Sequence, residues 1–260
     1  MDFPVNFVIG GVIIPSHFIF DVLAFYIGVT YYLRISVTTR DHIHENTRWY
    51  IIVAGAMGAL IGSRLLAALE RPYLFLHPPS LLFYYANATI AGGILGSIIV
   101  VEIAKKIMGE RKRTGDLFVY PLILGMIIGR IGCFLTGVTD STVGLPSKVP
   151  WALDQGDGIA RHPTSLYEII FLGILWITLH IIKKKVPLQQ GVLFRLFIIN
   201  YFSFRFFIEF IKPVQPIFMG LSAIQIASAA IVIYYGLTLL FSNTHWYGTI
   251  NKSEYESLAK

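Results

Sequence analysis

The chain has 260 residues, is 55% hydrophobic and only 14% charged, and has a mean hydropathy of +0.66. Its net charge is +6, and it has one cysteine, Cys133. This composition excludes an ordinary water-soluble domain and any intrachain disulfide, and the positive charge is explained by basic loops facing anionic lipid without invoking nucleic acid.

Apolar runs close to the roughly 20 residues that span a bilayer recur along the chain. In order, they predict membrane helices over Val8 to Leu33, Trp49 to Leu69, Leu81 to Ala104, Leu117 to Thr136, Pro163 to Ile182, Gly191 to Ile211 and Ile217 to Phe241. The expected fold is therefore an all-α integral membrane protein of about seven transmembrane helices, forming one polytopic domain over residues 1–260. A long outer loop is expected over residues 137–162 and a tail over residues 242–260. Met1-Asp-Phe-Pro has no positive start, so the first helix is not read as a cleaved signal peptide.

Lysine and arginine placement orients the bundle. Thirteen basic residues follow the first, third and fifth helices or lie in the tail, against four in the opposite loops. Basic loops stay in the cytoplasm, so the N-terminus is expected outside and the C-terminus inside. That orientation assigns a depth to each polar residue within a helix. His17 and Asp21 on the first helix, Arg64 on the second, Arg130 on the fourth, His162, Tyr167 and Glu168 on the fifth, and Arg205 and Glu209 on the sixth all fall toward the outer face.

Arg130 is the most informative of them. It lies in the glycine-studded stretch from Pro121 to Gly137, which holds no other charge. An arginine at the centre of a membrane helix costs about 2.5 to 3.5 kcal/mol on insertion scales, which marks it as functional by default. Three outward arginines with few carboxylates nearby in sequence suggest an anionic ligand, because guanidinium matches phosphate through forked hydrogen bonds. An outer-leaflet phospholipid headgroup sits at this depth.

Each residue also has a plainer reading. Arg64 can snorkel to the interface, and Arg205 can pair with Glu209 at i, i+4. Gly125 and Gly129 have the spacing of close helix packing, and Gly132 and Gly137 leave room for backbone or lipid. Cys133 on an apolar helix reads as a small hydrophobe before it reads as a nucleophile. In the outer loop, Asp140, Asp154 and Asp157 lack the spacing of a calcium loop and read as turn residues. Pro163 suits a helix start and leaves His162 at its mouth, where it is either a general acid or base or an interfacial residue. No metal or nucleotide motif is present, and no cofactor is expected.

Three blocks carry a family resemblance: Gly129-Arg-Ile-Gly-Cys-Phe-Leu-Thr-Gly137, Arg161-His-Pro-Thr-Ser-Leu-Tyr-Glu168 and Tyr201-Phe-Ser-Phe-Arg-Phe-Phe-Ile-Glu-Phe210. Weaker likenesses are Pro15-Ser-His17, Gly62-Ser-Arg64, Gly92-Gly-Ile-Leu-Gly96 and Leu221-Ser-Ala-Ile-Gln225. Together they resemble the bacterial prolipoprotein diacylglyceryl transferase family over nearly the whole chain. The resemblance implies a transferase that moves diacylglycerol from phosphatidylglycerol to the lipobox cysteine of a preprolipoprotein and releases glycerol phosphate. It implies that Arg130 and Arg205 hold the lipid phosphate and that the protein lies in the bacterial plasma (inner) membrane. From its place at the helix mouth, His162 is expected to join them as a catalytic residue. Arg64, His17, Tyr167, Glu168, Tyr201, Glu209, Gly129 and Gly132 are expected around the substrate, from their depth or their place in these blocks.

The chain departs from the family pattern where the acceptor thiol must lose its proton. The family's His-Gly-Gly reads Ala91-Gly92-Gly93 here, the asparagines of the arginine block are Cys133 and Thr136, its glutamate is Val138, and the tyrosine near His17 is Ile19. The alternative expectation is a paralogue that binds or moves phospholipid, or uses a different acceptor. His162 or Asp140 would be the replacement base.

Overall fold

The computed structural model describes residues 3–38, 45–72, 87–140 and 142–241. Among them are α1 (Ser16–Thr38), α2 (Glu45–Leu69), α3 (Ile90–Met108), α4 (Val119–Thr136), α5 (Thr164–Lys185), α6 (Val192–Ile208) and α7 (Ala223–Phe241). Each overlaps one predicted segment. The start expected for the third segment at Leu81 and the tail over residues 242–260 lie outside the described residues.

Five of these helices are long and apolar enough to cross a membrane: Ser16–Val37, Asn46–Leu69, Thr164–Lys185, Ala223–Phe241 and the helical stretch Gly115–Thr139. The protein is an all-α membrane protein with little sheet. Helix α3 carries Glu102, Lys105 and Lys106 in its 19 residues, and α6 has only 17 residues, so neither reaches that standard. Phe18, Val22, Phe25 and Tyr26 of α1 are exposed, as expected for a lipid-facing helix surface.

One expectation is corrected at the start of the chain. The run from Val8 to Pro15 does not begin the first helix; β1 (Asn6–Ile9) and β2 (Val12–Pro15) form an antiparallel hairpin. Gly10 and Gly11, at φ 59° and 81°, supply the left-handed backbone of a two-residue turn, and the β-branched Val12, Ile13 and Ile14 suit a strand. Apolar content alone does not separate such a run from a helix.

The described residues group into two compact units. The first contains α1, α4, α5, the loop between α4 and α5, α6 through Tyr201 and α7 from Ile233; the second contains α2, α3 and the chain from Phe202 to Val232. In the first, α4 lies close against α1. A Cβ on Gly132 would come within 2.7 Å of the Phe20 Cβ, and one on Gly125 within 3.4 Å of the Ala24 carbonyl oxygen. Small residues therefore set this helix approach. Asp116 joins the start of α6 to the turn before α4, accepting from the backbone N–H groups of Gly191 at 2.6 Å and Phe194 at 2.8 Å.

In the second unit, α2 and α3 meet through Gly58, Gly62, Gly92 and Gly96. A Cβ on Gly62 would lie 2.7 Å from the Gly96 Cα. The Ser97 hydroxyl donates to the Gly55 carbonyl at 2.8 Å, and Thr89 caps α3 by accepting from the Gly92 N–H at 3.2 Å. Ser222 and Gln225 cap α7 reciprocally: the Gln225 N–H reaches the Ser222 hydroxyl at 3.2 Å and the Ser222 N–H reaches Gln225 Oε1 at 2.9 Å.

Candidate active site

The site in the first unit is built where the hairpin leads into α1 and α4 leads into the loop before α5. Backbone pairing fixes both junctions, through Val5 N–H to the Leu135 carbonyl at 2.9 Å and Val138 N–H to the Gln155 carbonyl at 3.0 Å. Ser16 and Thr136 hydroxyls meet at 3.3 Å, so the first residue of α1 touches the last of α4. The loop is fastened to α5 by the Thr164 hydroxyl, which donates to the Thr142 carbonyl, and by the Thr142 and Ser165 hydroxyls at 3.4 Å.

Arg130 is buried on α4, and its Nε lies 2.8 Å from Glu168 Oε2 on α5, an ion pair with both side chains less than 5% exposed. The reading of Arg130 as remote from carboxylates holds along the sequence and fails in space, since Glu168 is supplied by another helix. The Tyr201 hydroxyl donates to Glu168 Oε1 at 3.0 Å, so three of the predicted residues share one buried network. Arg130 NH1 also points to Cys133 Sγ at 3.5 Å.

Cys133 in turn faces α1. Its Sγ is 3.6 Å from His17 Nε2, and His17 Nδ1 is 2.8 Å from Asp21 Oδ2 one turn along. Asp140, just past α4, places Oδ2 3.8 Å from His17 Nε2. Gly132 brings the two backbones close enough for this, as a Cβ there would lie 3.3 Å from the His17 Cα; a Cβ on Gly129 would lie 3.8 Å from Asp21 Oδ1. Asp21 is a contributor to which the sequence reading gave no role. The i, i+4 spacing to His17 was the available signal.

His162 stands at the mouth of α5 with Nδ1 3.1 Å from the Tyr167 hydroxyl, which also accepts from Trp151 Nε1 at 2.7 Å. The loop that precedes it is ordered by turn chemistry. Asp154 Oδ1 accepts from the N–H groups of Gly156 and Gly158 at 2.9 and 3.0 Å, and Arg161 Nε reaches Asp157 at 3.0 Å. That pairing, the largest influence, holds the Asp157 carboxyl below its usual range.

In the second unit, Arg205 pairs with Glu209, and Lys212 Nζ lies 3.5 Å from the same carboxylate. All three side chains are buried. Arg64 NH1 donates to the Ser63 hydroxyl at 2.8 Å.

The family model for prolipoprotein diacylglyceryl transferase matches residues 4–242. The chain belongs to this family. A relative from Bordetella parapertussis, named phosphatidylglycerol–prolipoprotein diacylglyceryl transferase, is 33% identical over 198 residues, covering 72% of this chain and 71% of its own. One of the same name from Methylobacillus flagellatus is 35% identical over 180 residues, covering 66% and 67%. A third, from Methylococcus capsulatus, is 34% identical over 170 residues, covering 62% and 63%. In this chain the thiol at residue 133 contacts both the buried arginine and the His17 imidazole.

Proposed function

We propose that the chain is a phosphatidylglycerol-dependent diacylglyceryl transferase acting on a prolipoprotein cysteine in a bacterial inner membrane. The observation that carries this reading is the buried Arg130 network in a chain matched by the family model over residues 4–242. The protein crosses the membrane seven times, with its N-terminus outside and its C-terminus cytoplasmic. Support for that topology is the excess of thirteen basic residues over four between the two sets of loops.

In the reaction, the acceptor thiolate attacks the glycerol carbon of the diacylglyceryl group that carries phosphate. A carbon–sulfur bond forms, the carbon–oxygen bond to phosphate breaks, and glycerol phosphate leaves with the electron pair. Arg130 holds the phosphate. A guanidinium has five N–H donors, more than Glu168 and Cys133 take up, so it can keep its carboxylate and still present donors to the leaving group. Arg205 carries the same assignment from its own sequence block. Such electrostatic stabilisation contributes most where charge develops. His162, oriented by Tyr167, is the candidate base for the thiol proton, in place of the missing family histidine.

The test is direct. Purified protein given labelled phosphatidylglycerol and a lipobox peptide should form a thioether-linked product, and Arg130→Ala should lower kcat about 100- to 1,000-fold. Absence of the thioether under conditions in which the Bordetella parapertussis relative forms it would overturn the proposal.

A further inference from the structure

We propose that His17, Cys133 and Asp140 form a binding site for one divalent transition-metal ion of the zinc class. Their donor atoms all lie within 4.8 Å of one another. In a tetrahedral zinc site, with Zn–S about 2.3 Å and Zn–N or Zn–O about 2.0 to 2.2 Å, a sulfur and a nitrogen ligand stand about 3.5 Å apart and a nitrogen and an oxygen about 3.4 Å. Here Sγ to Nε2 is 3.6 Å and Nε2 to Oδ2 is 3.8 Å. These spacings are a few tenths of an ångström from a bound geometry, and 3.8 Å is too long for a hydrogen bond.

Two further observations favour a ligand at this point. The Asp140 side chain is 8% exposed, and its Oδ2 accepts no hydrogen bond among the described residues. Oδ1 is satisfied by the Thr142 N–H at 3.0 Å, which leaves Oδ2 as a buried acceptor aimed into the cluster. His17 Nδ1 is held by Asp21 Oδ2 at 2.8 Å, which orients the ring with Nε2 toward Cys133 and Asp140; an ion entering the cluster would displace the proton from Nε2, as it must from any ligating imidazole. A carboxylate behind a ligating histidine is the usual outer support of a metal site.

The donor set selects the ion. Thiolate and imidazole favour zinc and its neighbours, whereas magnesium and calcium take oxygen ligands. Charge also balances. The Cys133 thiolate and the Asp140 carboxylate match a divalent ion, and the adjacent Arg130 is itself paired with Glu168. No metal motif exists in the sequence because Cys133 and His17 are 116 residues apart. Three protein ligands leave the fourth position of a tetrahedral ion for water or a thiol, and a thiol bound there would be deprotonated. That use rests on the transfer reaction proposed above; the binding does not.

Cobalt titration of the full-length, chelator-treated protein tests the site without substrate. Stoichiometric Co2+ binding with a sulfur-to-cobalt charge-transfer band is expected. Zn2+ should displace it. Cys133→Ser, which keeps the volume, should abolish the band, and Asp21→Asn should weaken Co2+ binding about 10- to 100-fold. Asp157→Asn, a carboxylate change elsewhere in the loop, should leave affinity unchanged. Failure to bind Co2+ stoichiometrically, persistence of the band in Cys133→Ser, or equal loss in Asp157→Asn and Asp21→Asn would each overturn the proposal, whatever the transferase assay shows.

Discussion

Two buried arginines satisfy their charge in opposite ways. Arg205 takes its carboxylate from Glu209, four residues on at the end of α6, with Lys212 sharing it. Arg130 takes Glu168 from α5, a different helix, and Tyr201 adds a third element to that network. A local pair needs only helical spacing; a tertiary pair ties helices together. Breaking the second therefore strikes the fold, and breaking the first strikes one helix end.

The largest expected effect is from Glu168→Gln. It leaves the buried Arg130 charge without its carboxylate, a change that costs about 3 to 5 kcal/mol when one partner of a buried pair is removed. Unfolding in detergent should show a loss of that size. Glu209→Gln leaves the buried Arg205 and Lys212 without their carboxylate and should also cost stability. Its faster amide exchange should centre on residues 209–214, however, whereas Glu168→Gln should speed exchange in α4 and α5 together. Identical exchange patterns from the two variants would erase the distinction.

Glycines sharpen the comparison at a smaller scale. Gly132→Ala places a methyl 2.7 Å from the Phe20 Cβ, and Gly62→Ala places one 2.7 Å from the Gly96 Cα. Each should cost about 1 to 3 kcal/mol in unfolding experiments as overpacking. Gly62→Ala should cost more, since backbone yields less readily than a side chain. Gly173→Ala, on α5 with nothing within 4 Å of the new Cβ, should instead stabilise by about 0.5 to 1 kcal/mol.

The smallest effect is in the loop between α4 and α5. Because Arg161 lowers the Asp157 pKa in the folded protein, the pair stabilises the loop above the ordinary carboxylate pKa of 3.8, and this contribution disappears as pH falls through the lowered value. Amide exchange at Ile159, which donates to Asp157 at 3.2 Å, should report it. Asp157→Asn should remove the pH dependence.

Hydropathy, loop charge and the spacing of arginine, histidine and glycine residues were enough to place a helix in each of seven segments, to single out Arg130, and to bring the family blocks into view. These signals are local: a membrane helix is written in one continuous run, and an i, i+4 pair such as Arg205 and Glu209 in one turn. The hairpin at residues 6–15 was hidden because β-branched apolar residues fit a strand and a membrane helix alike, and the Gly10-Gly11 turn decided between them. The partners of Arg130 and the surroundings of Cys133 were decided only by tertiary structure. Glu168 lies on a different helix, and His17 is 116 residues from the thiol it faces. Close packing of α1 on α4 at Gly132 brings that imidazole to the sulfur, a contact that depends on how the helices meet and leaves no periodic signal in either one alone.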